Sequence, residues 1–137
     1  MLLVIAMFAA ALCLGGMLFF SAVMAPLVFT KLPADSAGAF IREVFPWYYL
    51  YVAGTSGVAA LGLLALNAPA AALMAIVCGL ALYARQILMP RINRLRDASR
   101  AGDQDARARF QRSHRLSVFI NAGQILVVAA VFVHGLL

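Results

Sequence analysis

Four polar side chains recur at helical spacing near the C-terminal end of the chain, and they are the residues best suited to bind a ligand. His114, Ser117, Asn121 and Gln124 follow one another at intervals of three, four and three residues. In an α-helix this spacing places all four on one face. The segment that carries them is largely apolar, and polar groups in a membrane helix normally face the protein interior. The sequence therefore predicts a polar stripe that points into a helical bundle.

Further polar side chains are expected to lie at the same level of the bundle. Two interpretations of the whole group remain open. The polar groups either hold the helices together, at about 0.5–2 kcal/mol per hydrogen bond, or they line a ligand pocket that opens to the cytoplasm. Arg85 would then reach either the lipid headgroups or an anionic group of the ligand. The candidate pocket residues are Pro46, Tyr49, Arg85, Gln86, Asn93, His114, Ser117, Asn121 and Gln124.

The two histidines do not have the spacing of a shared cofactor site. His114 and His134 are 20 residues apart in one predicted helix, which separates them by about 30 Å. They cannot bind the same haem or metal ion within one chain, so we expect no cofactor and no metal. A haem or copper site that uses His114 alone is the alternative. Cys13 and Cys78 lie in apolar segments, where cysteine usually behaves as a small apolar residue.

Few other groups in the sequence could support catalysis. None of the acidic residues lies within an apolar segment, although proton-coupled transporters usually place a carboxylate there. Motifs of nucleotide-binding loops, zinc proteases and serine hydrolases are absent from the sequence. We expect a non-enzymatic protein that binds a small amphipathic ligand, lipid or partner. A small membrane oxidoreductase using His114 and an oligomeric transporter or channel are the alternatives. The acidic residues are Asp35, Glu43, Asp97, Asp103 and Asp105.

The composition is that of an integral membrane protein. The chain has 137 residues, of which 65% are apolar, and its mean hydropathy is +0.95. Soluble domains contain about 45–50% apolar residues, and a small soluble fold could not bury this much apolar surface. The apolar residues form four runs of about the length that crosses a bilayer. The first run has no preceding basic residues, which favours a retained helix over a cleaved signal peptide.

These runs predict one all-α transmembrane domain over residues 1–137, a four-helix bundle with spans at about 2–29, 47–66, 70–89 and 116–137. Leu32-Pro33 and Phe45-Pro46 should interrupt the first connector, residues 30–46, because the residue before a proline avoids helical geometry. Asn67 to Pro69 should form a tight turn between antiparallel spans. The second connector, residues 90–115, should form a basic helical hairpin that breaks near residues 101–103 and carries its arginines on the outside.

The basic residues predict the orientation. All 11 lysines and arginines lie in the two connectors or in the last turn of the third span, and eight lie between Arg91 and Arg115. The positive-inside rule places both connectors in the cytoplasm and both termini outside, in a multi-pass protein of the inner (plasma) membrane. We expect the arginines to contact anionic headgroups, at about 1 kcal/mol per residue, rather than nucleic acid. Small residues in the first two spans would also allow a homo-oligomer.

Several elements of the sequence, in this order and spacing, resemble a family of uncharacterised four-helix membrane proteins, the domain-of-unknown-function group that includes transmembrane protein 205. The resemblance covers nearly the whole chain and implies a four-helix membrane protein of unestablished molecular function. The architecture and an Asn-x-Leu-Arg element are more distantly similar to copper-resistance-permease-like and anthrone-oxygenase-like membrane families. The elements are Pro26 to Phe29, Leu32-Pro33, Ala37-Gly38, Phe45 to Tyr49, Pro90 to Asp97, Phe110, His114, Arg115, Ser117 and Asn121.

Overall fold

The computed structural model describes residues 1–136, and this part of the chain is helical apart from short turns. Two π-helical segments, Phe20–Met24 and Ala84–Leu88, join α1 to α2 and α4 to α5. The described residues therefore form four long helical rods. The α-helices are α1 (Leu2–Phe19), α2 (Ala25–Lys31), α3 (Ala34–Leu63), α4 (Ala68–Tyr83), α5 (Met89–Arg100) and α6 (Gln104–Leu136).

Each π-helical segment ends two residues before a proline. Pro26 and Pro90 are the second residues of α2 and α5. A proline lacks the backbone N–H, and its ring clashes with the carbonyl four residues earlier. Those carbonyls belong to Ala22 and Gln86, which lie within the two π-helical segments. The wider turns, with hydrogen bonds between residues five apart, let both rods continue past their prolines.

Pro46 does not interrupt its helix, contrary to the break predicted at Phe45-Pro46. Helix α3 contains Pro46 and runs without interruption from Ala34 to Leu63, so the part of the first connector after Pro33 and the second predicted span form one helix. A proline inside a helix costs about 3 kcal/mol. Next to Pro46, Phe45 packs against the buried core, and Arg85 Nε donates a hydrogen bond to the Pro46 carbonyl at 3.2 Å.

The other predicted interruptions are present. Leu32 is extended and ends α2 just before Pro33. Asn67 forms the turn before α4, and its side-chain oxygen accepts a hydrogen bond from the Ala70 N–H at 3.1 Å, as a helix cap does. Gly102, with φ of +100°, separates α5 from α6. Helices α5 and α6 pack against each other across this turn, forming the predicted helical hairpin.

The four rods form a bundle in which each rod packs against two neighbouring rods. Helix α3 packs against α1 and α4, and α6 packs against the same two helices from the opposite side. The buried residues at the centre are mostly small or flexible, such as Ala10, Cys13, Met17 and Met74. Small side chains allow helices to approach closely without a large apolar core between them. The bundle is therefore held by close contact between helix backbones.

Three rods are long and apolar enough to cross a membrane, namely Leu2–Lys31, Ala68–Arg100 and Gln104–Leu136. Helix α3, which holds the second predicted span, is not one of them, because its second half carries tyrosines, glycines and small hydroxyl residues. Large apolar side chains cover the outside of the bundle, including Phe8, Leu61, Phe119 and Leu126, which are 66–75% exposed. Such a surface is suited to lipid, so the chain has the features of a membrane protein.

Candidate functional site

A cavity of about 620 Å³ lies toward the end of the bundle that carries the charged residues. It extends from Ser21 and Asn121, inside the bundle, to Arg96 and Arg100 on α5. Sites for small molecules commonly have volumes of about 300–1,000 Å³, so the cavity can hold one such molecule. Its apolar wall consists of Phe20, Ala25, Phe29, Ile41, Phe45, Tyr48, Tyr49, Met89, Ile92, Phe110 and Val118.

Stacked aromatic rings form one side of the cavity. Phe45, Tyr48 and Tyr49 lie on one face of α3, because residues three and four positions apart are neighbours on a helix. Phe20, from the first π-helical segment, stacks on Tyr48 with ring centroids 4.3 Å apart, and Phe45 stacks on Tyr49 at 5.6 Å. Such pairs add about 0.5–1.5 kcal/mol each beyond the area that they bury. The aromatic side is therefore a rigid surface for an apolar group.

Three side chains from three rods meet at the inner end of the cavity. The Tyr48 hydroxyl donates a hydrogen bond to Asn121 Oδ1 at 2.5 Å, and Asn121 Nδ2 donates to the Ser21 hydroxyl at 2.9 Å. These bonds fix the orientation of the Asn121 amide. The second N–H of Asn121 and the hydroxyl hydrogen of Ser21 remain as donors. The inner end can therefore bind an oxygen atom of a ligand.

Three arginines surround the outer end of the cavity. Arg42 pairs with Asp97 at 2.6 Å, and Arg100 pairs with Asp35 at 3.0 Å. Arg96 donates a hydrogen bond to the Gly38 carbonyl at 3.5 Å. Burial, followed by the neighbouring charges of Arg100 and Arg42, lowers the pKa of the Arg96 guanidinium. Arg96 and Arg100 both line the cavity. The sequence had predicted instead that the arginines coat the outside of the hairpin.

Five of the nine predicted site residues line this cavity: Tyr49, Asn93, His114, Ser117 and Asn121. The His114 ring is stacked on Phe110, with centroids 5.9 Å apart. The Ser117 hydroxyl donates to the His114 carbonyl of its own helix at 2.7 Å. The polar stripe on α6 therefore reaches the cavity through its first three members.

The other four predicted site residues lie elsewhere. Arg85 and Pro46 are exposed and form a hydrogen bond with each other outside the cavity. Gln86 is exposed. Gln124 is buried, and its Nε2 donates to the Val77 carbonyl of α4 at 2.9 Å. Gln124 lies about one helical turn beyond Asn121, the last stripe residue that lines the cavity. It thus makes the kind of interhelical hydrogen bond that the packing interpretation describes.

A family model described as a domain of unknown function, DUF4149, matches residues 8–101, which is more than half of the chain. The chain belongs to the DUF4149 family. No curated protein and no solved structure matches it. The predicted membership in an uncharacterised domain family is thus confirmed, and the narrower likeness to transmembrane protein 205 and to the copper-resistance-permease-like and anthrone-oxygenase-like families stays a prediction.

The DUF4149 match contains most of the cavity. It includes the aromatic side on α3 and all three arginines at the outer end, but it stops before α6. His114, Ser117 and Asn121 therefore lie outside the region that the family model covers. Among the described residues, no three histidine, cysteine or acidic side chains come together as metal ligands.

Sequence reasoning missed Ser21, Phe20 and the three arginines as residues of this site. One signal was available for Ser21, because it is the single hydroxyl residue between positions 2 and 29. A lone polar group in an apolar helix is costly toward lipid and usually faces the bundle. No comparable signal existed for Arg96, since eight arginines share its segment.

Proposed function

We propose that this DUF4149 chain is a four-span, non-enzymatic membrane protein that binds one small amphipathic molecule in the cavity at its charged end. The observation that carries the proposal is the arrangement of that cavity. Donors from Ser21 and Asn121 lie at the inner end, stacked aromatic rings form one side, and arginines surround the outer end. A ligand with an apolar body and polar groups matches all three surfaces.

The side of the cavity between α2 and α6 supports a ligand that comes from the membrane. Phe29 of α2 and Val118 of α6 line the cavity and are also 58% and 53% exposed. Helix α2 packs on α3 through Val28, Ala37 and Ile41, which draws it toward α3. An apolar chain could therefore lie against Phe29 and Val118 while remaining in contact with lipid.

The position of α3 supports a fourth span. Its second half packs antiparallel against α4 and also against α1, and both of these helices belong to rods that are apolar enough to cross a membrane. Leu50, Val58 and Leu61 of α3 are exposed on the outside of the bundle. A helix that lies between two spanning helices and presents leucine to the outside is suited to the same depth of the bilayer.

The orientation with both termini outside rests on the positive-inside rule. We expect a membrane-impermeant maleimide to label Ala68→Cys, and not Asp103→Cys, in right-side-out vesicles of the inner membrane. The background is a chain in which Cys13 and Cys78 are replaced by alanine. Ala68 is the first residue of α4, and Asp103 lies in the turn before α6, at the opposite end of the bundle; both are exposed.

Detergent permeabilisation should expose both cysteines, which controls for reactivity. Labelling of Asp103→Cys alone before permeabilisation would reverse the orientation. Labelling of both positions before permeabilisation would contradict the four-span arrangement.

Anionic membrane lipids are the expected partners of the basic connector. Arg91, Arg94, Arg107 and Arg109 are exposed on α5 and α6. Basic residues near the surface of an anionic bilayer contribute about 1 kcal/mol each. We propose that these arginines hold the hairpin at the cytoplasmic headgroups, while the arginines at the cavity serve the ligand.

Native mass spectrometry of the chain, purified in lipid nanodiscs, tests ligand binding directly. We expect one amphiphile per chain to persist at collision energies that remove bulk lipid. A chain that retains no molecule would contradict the proposal and favour a packing role for the α6 stripe. A visible absorption band or stoichiometric metal that disappears in His114→Ala would instead favour the oxidoreductase alternative.

A further inference from the structure

The three arginines at the outer end of the cavity are not equivalent. The guanidinium groups of Arg42 and Arg100 are each neutralised by an aspartate, Asp97 and Asp35 respectively. Arg96 lies on α5, close enough to both for their charges to act on it. Within residues 1–136, no carboxylate lies within ion-pair distance of Arg96. Of the three arginines, Arg96 is therefore the one without an ion-pair partner among the described residues.

Gly38 provides the room in which the Arg96 side chain lies. Gly38 is buried near the start of α3, and a Cβ atom at this position would overlap the guanidinium of Arg96. One N–H group of that guanidinium points at the Gly38 carbonyl. Because a guanidinium has five N–H donors in a planar fork, most of its donors remain free. A planar fork of this kind matches a carboxylate or a phosphate with two parallel hydrogen bonds.

The charge of the cavity is complementary to an anion. Its lining includes Arg42, Arg96 and Arg100, but no aspartate or glutamate. Burial and the neighbouring charges of Arg100 and Arg42 lower the pKa of Arg96, and this outweighs the opposite effect of Asp97 and Asp35. A bound anion would raise the pKa of Arg96 again, since an opposite charge within a few ångströms favours the charged form.

We propose that the ligand is a single-chain amphiphile with an anionic headgroup, either a carboxylate or a phosphate ester, and that Arg96 binds this headgroup. The inference rests on the proposed function and specifies its ligand. The chain of the amphiphile lies against the aromatic side of the cavity and passes between Phe29 and Val118 toward lipid. The volume of about 620 Å³ is in the range of sites for one small molecule.

Binding of a fluorescent conjugated fatty acid and of its methyl ester to the chain in zwitterionic nanodiscs tests the headgroup. Both probes have the same apolar chain, and empty nanodiscs give the background partitioning of each. We expect the acid to bind about tenfold more tightly than the ester, because a charge-assisted pair is stronger than a neutral hydrogen bond. An alkyl phosphate should displace the acid, whereas inorganic phosphate at the same concentration should not.

Two variants separate the charge of Arg96 from its position. Arg96→Gln should lower the affinity for the acid about tenfold, to that of the ester, and leave ester binding unchanged. Gly38→Ala retains every charge but displaces the guanidinium, so it should produce the same selective loss. Arg94→Gln is the matched control, since Arg94 is exposed on the same helix and lies outside the cavity lining. It should bind both probes as the unmodified chain does.

The outcomes distinguish this inference from the proposed function. Equal binding of acid and ester by the unmodified chain would overturn the anionic headgroup and leave the pocket in place. Binding of neither probe would overturn both. Displacement of the acid by inorganic phosphate, as effectively as by alkyl phosphate, would mean that the site takes a soluble anion and not an amphiphile. An equal loss in Arg94→Gln would show a general effect of surface charge and would also contradict the role of Arg96.

Discussion

Gly62→Leu is expected to force α1 and α3 apart and to lower the stability of the purified chain substantially. A Cβ atom at Gly62 would lie 2.9 Å from the Ala6 Cβ, 3.3 Å from the Leu2 carbonyl oxygen and 3.4 Å from the Ala6 Cα. Two of these neighbours are backbone atoms, which cannot move aside as the end of a side chain can. Overpacking of this kind costs about 1–3 kcal/mol. The free energy of unfolding, measured by titration with a denaturing detergent, should fall by that amount.

Gly54→Leu provides the matched control, because Gly54 lies on the same helix and has no neighbouring atom within 4 Å of the added Cβ. We expect its free energy of unfolding to change by less than about 0.5 kcal/mol, as is usual for open positions. Equal values for the two variants would contradict the close contact between α1 and α3. A larger loss for Gly54→Leu would indicate that the exposed glycine face of α3 packs against a second copy of the chain.

The elements with local signals could be predicted from the sequence. The composition of the apolar runs indicated the helices, Asn67 and Gly102 marked turns, and Pro33 marked the start of α3. The continuation of α3 through Pro46 could not be predicted. The contacts around Pro46 come from distant positions: Arg85, 39 residues away, donates to the Pro46 carbonyl, and Phe20 of another rod packs against Phe45. Contacts between such distant positions leave no pattern in a single sequence.

The α4–α5 rod shows why helical spacing located some candidate residues and misplaced others. Gln86 and Asn93 are seven residues apart, which would place them on one face of a regular α-helix. However, the π-helical segment Ala84–Leu88 lies between regular helix on either side and changes the number of residues per turn. Asn93 consequently lines the cavity, while Gln86 is exposed on the outside.

The four residues of the α6 stripe have different surroundings for another reason. Its four residues do share one face, but the surface opposite that face changes along the helix. At Gln124 the neighbouring helix is α4, close enough for a hydrogen bond to Val77. At Asn121 and His114 the neighbouring rods are farther away, and the space between them is the cavity. Periodicity in a sequence indicates which side of a helix faces inward, but the distance to the next helix depends on the whole bundle.

Ala25→Phe is expected to close the cavity and to weaken binding of both the conjugated fatty acid and its methyl ester by about tenfold or more. Ala25 lines the cavity next to the side between α2 and α6, so a phenyl ring there occupies the space proposed for the apolar chain. A tenfold loss corresponds to about 1.4 kcal/mol of binding free energy. The ring enters empty space and not the packed core, so the free energy of unfolding should change little. Probe fluorescence in nanodiscs measures the binding.

Ala22→Phe adds the same ring three residues earlier, at an exposed position outside the cavity lining, and should bind both probes normally. The loss in Ala25→Phe should affect acid and ester equally, because the ring obstructs the chain that they share, whereas Arg96→Gln should affect the acid alone. Unchanged binding in Ala25→Phe, or an equal loss in Ala22→Phe, would mean that the probes bind at the lipid-facing surface and not in the cavity. The two variants together therefore separate where the ligand lies from which headgroup it carries.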